Sequence, residues 1–136
     1  NIKEFISRNF AVDLIKGKLK NFKRIEKWTK FDQTKSVVVY YDKQSFLKYG
    51  DFRDINLLYD LKEPFNSEKG IVNSMTLFKE ISCKDKKVNV KKQDFFAQKM
   101  GKGQPIFSIS DSGWKTVNAD NLSIDGAIFK AACEIQ

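Results

Sequence analysis

The clearest pattern in the chain runs from Asn73 to Val90, NSMTLFKEISCKDKKVNV. Met75, Leu77, Ile81 and Cys83 recur at alternate positions, with Lys79 the one interruption. Ser74, Thr76, Glu80 and Ser82 fill the positions between, with Phe78 the exception on that side. A strand sends successive side chains to opposite sides, so a period of two marks a strand with one buried face. Asp85 and the lysines around it end the run, and Val88 and Val90 restart it. The stretch therefore predicts a strand, a polar turn and a second strand. Phe52 to Leu61 alternates in the same way, with Ile55, Leu57, Tyr59 and Leu61 on one face and Asn56, Leu58 and Asp60 on the other. Val37 to Tyr41, VVVYY, is a β-branched and aromatic run that suits a buried strand. Shorter strands are predicted at Ile25 to Asp32 and, after Pro105, at Ile106 to Ser110.

The segments between are turns. Asp42 to Ser45 reverses the chain, Phe46 and Leu47 return to the core, and Gly50-Asp51 turns again. Glu63 to Gly70, with Pro64, Asn66, Ser67 and Gly70, reads as a loop. Gly101-Lys102-Gly103 lacks the spacing of a phosphate loop and reads as a backbone bend that needs free φ angles. Trp114 and Val117 are expected to cover one end of the core.

Near the C-terminus the period changes. Ile124, Ile128, Ala131 and Ile135 recur three or four residues apart, and Phe129 and Cys133 share a neighbouring face. That is a helix with an apolar stripe, with Gly126 a weak point in its first turn. Ile2, Phe5, Ile6, Phe10, Leu14 and Ile15 have similar spacing before Gly17, and residues 2–16 read either as a docked helix or as an extension. Residues 18–24, KLKNFKR, form a basic connector. The fold class that follows is α+β: an antiparallel sheet meander of about five or six strands, with a C-terminal helix packed on it. Residues 1–25 form the basic N-terminal helix or extension, and residues 26–136 the α+β domain.

Composition narrows the function. A chain of 136 residues with 12 Phe has enough apolar matter for one core. No apolar run approaches the roughly 18 residues of a membrane span. The net charge of +8 is uneven: residues 1–35 hold 10 Lys/Arg against 4 Asp/Glu, and residues 36–136 hold 15 against 13. Lys16, Lys18, Lys20, Lys23, Arg24 and Lys27 are therefore the candidate contacts for an acidic partner. The competing reading is a solvated run that keeps the domain soluble. Histidine is absent, which removes the commonest general base and most catalytic zinc sites. Catalysis by carboxylates such as Asp42, Asp51, Asp54 or Asp60 remains open, although no clustered pair argues for it. No cofactor or metal is expected.

The only two cysteines, Cys83 and Cys133, fall on the apolar face of the central strand and near the end of the terminal helix. A helix crossing that strand would bring them together, and a bond between them would tie the helix to the sheet. Two buried, reduced thiols are the alternative. A disulfide would place the protein in the periplasm, on the cell surface or outside the cell.

One ordered series of residues adds a resemblance. Trp28, Tyr40-Tyr41-Asp42, Phe46, Ser74, Cys83 followed four positions on by Lys87, Met100-Gly101-Lys102-Gly103, Trp114 and Cys133 stand in order over about residues 28–133. In order and spacing the series resembles the bacterial surface-adhesin protein E family, small exported proteins of Gram-negative bacteria. The resemblance implies an antiparallel sheet with a C-terminal helix tied back by the cysteine pair. It also implies a non-enzymatic exported binding module at the periplasm or outer surface, an adhesin for host extracellular-matrix or serum proteins. The basic first 25 residues do not align with the family, and no lipidation cysteine stands near Asn1. Trp28, Tyr40, Tyr41 and Trp114 are expected to be structural. The alternative function is a cytosolic, basic, nucleic-acid-associated protein.

Overall fold

A computed structural model describes residues 27–119 and 122–134. The expected N-terminal helix, the basic connector and Ile135 lie outside the described residues. The strands are β1 (Trp28–Gln33), β2 (Val37–Asp42), β3 (Leu47–Tyr49), β4 (Phe52–Ser67), β5 (Gly70–Ser82), β6 (Lys87–Phe96), β7 (Phe107–Ser110) and β8 (Trp114–Thr116), and the helix is α1 (Ile124–Glu134). They form one eight-stranded antiparallel sheet in the order β1-β2-β4-β5-β6-β7, with β3 pairing with the start of β4 and β8 with the start of β6. The meander and its terminal helix are those the pattern predicts. The strand number exceeds the five or six expected because β3 and β8 are only three residues long, too short to show an alternation.

The predicted loop over Glu63 to Gly70 is a second correction. The strands run on through it to Ser67 and from Gly70, with the hairpin turn at residues 68–69. Pro64 misled the reading, since it cannot donate to a ladder. It sits in an irregularity where residues 61–64 of β4 face Asn73 alone, so the ladder does not require a donor at that position.

Alternation decides which side of the sheet is core. Val37, Val39, Ile55, Leu57, Leu77, Ile81 and Val88 point to one side and meet Ile128, Phe129 and Ala132 of α1 there. Burying such a side chain stabilises by roughly 1.5–3 kcal/mol, so this side carries most of the fold's stability. Ala132, rather than the expected Ala131, is the alanine pressed against the sheet, and Gly126 is buried there as well.

Both ends of α1 are tied down. Cys133 is bonded to Cys83 just past the end of β5, with Cα atoms 5.7 Å apart. Buried Arg53 donates Nε to the Ala132 carbonyl at 3.1 Å, satisfying a helix-terminal acceptor and placing a cation at the negative end of the helix. At the other end, Ser123 Oγ accepts the Gly126 N–H at 3.0 Å, a side-chain cap. Asp125 reaches down to Lys79 Nζ at 2.5 Å. Lys79, the interruption in the apolar alternation, is only 3% exposed and also donates to the Tyr59 hydroxyl at 2.9 Å. Burial alone would lower the Lys79 pKa, but the Tyr59 and Asp125 oxygens more than offset it, and the net shift is upward. Burial raises the pKa of Tyr59.

β6 contains one extra residue. Phe78 pairs with Lys92 but Lys79 pairs with Val90, so Lys91 has no partner on β5. This bulge exchanges the two sides of the strand: Val88 and Val90 share the helix side with Lys79 and Ile81, whereas beyond Lys91 it is Gln93 and Phe95 that do so. Lys92, Asp94 and Phe96 are thereby turned to the opposite face.

Candidate functional site

No described helix covers that opposite face. The register lays its side chains in rows across the strands. Asn56, Phe78, Lys92 and Ser110 form one row, and Lys30, Tyr40, Leu58, Thr76, Asp94 and Ser108 the next. Trp28 stands opposite Asp42 at the β1 edge of the same face.

The segment after β6 folds back over the far end of this face and is fixed by buried Ser74 and half-buried Asp60. Ser74 Oγ donates to the Gln98 carbonyl at 2.5 Å and accepts the Gly101 N–H at 2.8 Å. Asp60 Oδ1 accepts the Met100 N–H at 2.8 Å. Gly101 has φ +63°, and a Cβ there would lie 3.2 Å from Thr76 Cγ2 and 3.4 Å from Leu58 Cδ1. Only glycine lets the bend lie flush on the sheet. The expectation of a backbone bend at Gly101-Lys102-Gly103 is met, and Ser74 is the group that holds it.

Between this bend and Trp28 lies an open concavity of about 840 Å³. Asn56, Thr76, Phe78 and Phe96 line it, together with Lys27-Trp28, Lys92 and Asp94, and Met100-Gly101-Lys102. Lys27 Nζ sits 5.0 Å from the Trp28 ring centroid and 3.7 Å from Asp42. Lys92 is 63% exposed and 3.7 Å from Asp94, which also accepts the Ser108 hydroxyl.

The carboxylates of this face are held internally. Asp42 accepts the Gln44 N–H at 3.1 Å. Asp54 and Glu80 stand opposite each other across the ladder, and the Tyr49 hydroxyl lies 2.8 Å from the first and 3.2 Å from the second. Burial, then the hydrogen bond and charge of Asp54, then the charge of Glu80, push the Tyr49 pKa well above its ordinary value. Lys91 approaches Glu80 at 3.7 Å. Asp42, Asp54 and Asp60 thus anchor turns and neighbouring side chains. Among the described residues the concavity is lined by one carboxylate, Asp94, and no His/Cys/Asp/Glu group could hold a metal ion.

The other end of the face carries an aromatic series. Tyr49 and Phe52 stack with centroids 5.7 Å apart, and Trp114 follows at 6.3 Å from Phe52. Trp114 is 42% exposed, which corrects the expectation that it covers the core. Its partner Asn89 stands opposite Glu80 on the open face, and only Val117 turns to the helix side.

Of the basic residues singled out from the sequence, only Lys27 is described, and it lies at the edge of the concavity. Lys16, Lys18, Lys20, Lys23 and Arg24 lie outside the described residues. Sequence reading missed Trp28, Asn56, Thr76, Lys92 and Lys102 as members of one surface. Phe78, an aromatic on the polar side of the best strand, was the available signal.

The family model for surface-adhesin protein E matches residues 28–134. The chain belongs to that family. Its fold is that of protein E from Haemophilus influenzae: the selenomethionine form is 12% identical, with a TM-score of 0.58 over 83% of this chain and 90% of that one. Protein E from non-typeable Haemophilus influenzae is also 12% identical, with a TM-score of 0.56 over 83% and 79%. A second crystal form of Haemophilus influenzae protein E is 13% identical, with a TM-score of 0.52 over 78% and 96%. No curated protein matches the chain in sequence. Family membership makes this an exported surface adhesin, and the alternative of a cytosolic nucleic-acid-associated protein gains no support. Among the described residues no helix is long and apolar enough to cross a membrane.

Proposed function

We propose that this adhesin binds host extracellular-matrix or serum proteins through the open face of its sheet, without catalysing a reaction, and displays that face at the outer cell surface. The observation that carries the reading is the division of labour between the two faces. One is filled by α1 and stapled by the disulfide. The other presents Trp28, Phe78, Lys92 and Trp114 on rigid strands, where ordering them on binding costs little. Aromatic and long cationic side chains on a preorganised surface are typical binding anchors. Residues 26–136 are the binding domain in this reading. Residues 1–25 are an extension whose Lys16, Lys18, Lys20, Lys23 and Arg24 add attraction for acidic partners, alongside Lys27 at the domain edge.

The test is binding of the full chain to a panel of immobilised matrix and serum proteins. Trp28→Ala with Lys92→Glu should reduce capture, whereas Lys130→Glu, on an exposed position of the helix, should not. Charge reversal at Lys18, Lys20 and Lys23 should weaken only the salt-sensitive part. Unchanged capture by the Trp28/Lys92 variant would refute the assignment of the face. Protease treatment of intact cells should remove the protein, and resistance until the outer membrane is opened would place it in the periplasm.

A further inference from the structure

We infer that the concavity between Trp28 and the Gly101 bend is a binding site for a sulfated, uronate-bearing saccharide segment of an extracellular-matrix polysaccharide. The inference rests on the reading of the open face as the adhesive surface and names the chemistry that surface takes. Its volume of about 840 Å³ falls within the range of ligand sites, yet it is open along the sheet, so it suits a stretch of a longer chain.

Charge sets the first requirement. Lys27, Lys92 and Lys102 line the concavity. The one carboxylate among the lining residues, Asp94, is already engaged by Ser108 and Lys92. Each ammonium is a compact charge on a flexible stem, able to reach one sulfate or carboxylate of a bound chain.

The neutral lining sets the second. Asn56 and Thr76 offer donors and acceptors for sugar hydroxyls. Trp28 offers an aromatic surface for the apolar C–H side of a pyranose, and Lys27 sits over that same ring, so stacking and charge are presented together. A lipid chain would need a continuous apolar lining, which Asn56, Thr76, Lys92 and Asp94 interrupt. An exported adhesin meets matrix polysaccharide in the ordinary course of its function, which favours this polyanion over nucleic acid.

The experiment titrates the full chain with a heparin-derived tetrasaccharide, its desulfated counterpart, neutral dextran and an oligothymidylate single strand, at low and physiological salt. Binding is read by calorimetry and, in a Trp114→Phe background, by the emission of Trp28. Saturable binding of the sulfated tetrasaccharide is expected, with a change in Trp28 emission. A loss of about tenfold is expected in Lys92→Gln/Lys102→Gln, two exposed lysines whose removal leaves the fold intact. The desulfated sugar should bind at least about tenfold more weakly, and dextran not at all.

Three results would overturn the inference. Sulfated-sugar binding that survives the double variant and leaves Trp28 emission unchanged would place the site elsewhere. Equal affinity for the oligothymidylate, with the same variant dependence, would reduce it to generic polyanion binding. Absence of sugar binding while host-protein capture still depends on Trp28 and Lys92 would remove the saccharide and leave the adhesive face standing. Sugar binding at this site without host-protein capture would instead remove only the protein partner.

Discussion

Gly101 gives the sharpest test of how the concavity is built. Gly50 and Gly101 have nearly the same backbone, φ +58° and +63°, but different surroundings. A Cβ at Gly50 meets nothing within 4 Å, whereas at Gly101 it lies 3.2 Å from Thr76 Cγ2 and 3.4 Å from Leu58 Cδ1. Alanine in the left-handed region costs roughly 1–2 kcal/mol, partly offset by about 0.4–1 kcal/mol from the stiffer unfolded chain. Gly50→Ala should therefore destabilise by about 0.5–1 kcal/mol. Gly101→Ala adds overpacking against the sheet, typically about 1–3 kcal/mol, for a total of about 1.5–4 kcal/mol and a Tm lower by on the order of 10 °C. Chemical denaturation of both variants measures the difference directly. Thr76→Ser removes the methyl group that the added Cβ would strike, so combining it with Gly101→Ala should recover about 1 kcal/mol in a double-mutant cycle. Equal costs for the two glycine substitutions, or no coupling to Thr76, would refute the argument that the bend lies flush on the sheet.

The disulfide closes a segment of 50 residues, for which loop entropy gives about 4 kcal/mol. Cys83→Ala with Cys133→Ala should lower the denaturation midpoint accordingly while the Arg53 and Lys79 ties keep α1 docked, and an unchanged midpoint would show the bond to be energetically idle. Tyr49, Tyr59 and Lys79 all have raised pKa values, so the folded state holds protons that the unfolded chain has released once pH passes about 10. Stability should be flat from neutral pH to about 9.5 and then fall as pH rises through the raised folded values. Denaturation midpoints measured from about pH 7 to 11.5 test this, Tyr59→Phe should shallow the decline, and a midpoint that rises above about pH 10 would contradict it.

The parts of the fold legible in the sequence were those where one residue type repeats over many positions. β4 and β5 are long and keep one face apolar over many positions, so Ile55, Leu57, Leu77 and Ile81 announced both the strands and the side on which the helix packs. The disulfide followed from where two periodic elements would cross. What escaped was set by tertiary contact at single residues. Pro64 looked like a loop because nothing local says that it falls at an interruption in the ladder, where no N–H donor is needed. Trp114 looked like core because a three-residue strand has no alternation of its own and takes its facing from β6. The candidate site escaped for a related reason: Trp28, Asn56, Thr76, Lys92 and Lys102 come from β1, β4, β5, β6 and the segment beyond, and only the pairing register brings them together. Lys79 was visible as an exception, but its partner Asp125 lies 46 residues away.

The unpaired Lys91 gives β6 two reading frames. Before it, even-numbered residues face the core; after it, odd-numbered ones do. Were Lys91 drawn into the ladder opposite Phe78, every residue beyond it would move one place, sending Lys92, Asp94 and Phe96 to the helix side while Gln93 and Phe95 surfaced in their place. Held outside the pairing, Lys91 prevents that slip. Its deletion would join Val90 to Lys92 with every pair on either side unchanged, so a length change of one residue is absorbed at the bulge. The same change elsewhere in β6 would act on half a strand at once, whereas a substitution at an exposed position acts on one side chain. The identity of the concavity's Lys92 and Asp94 can therefore vary singly, but their facing depends on the extra residue staying out of the ladder.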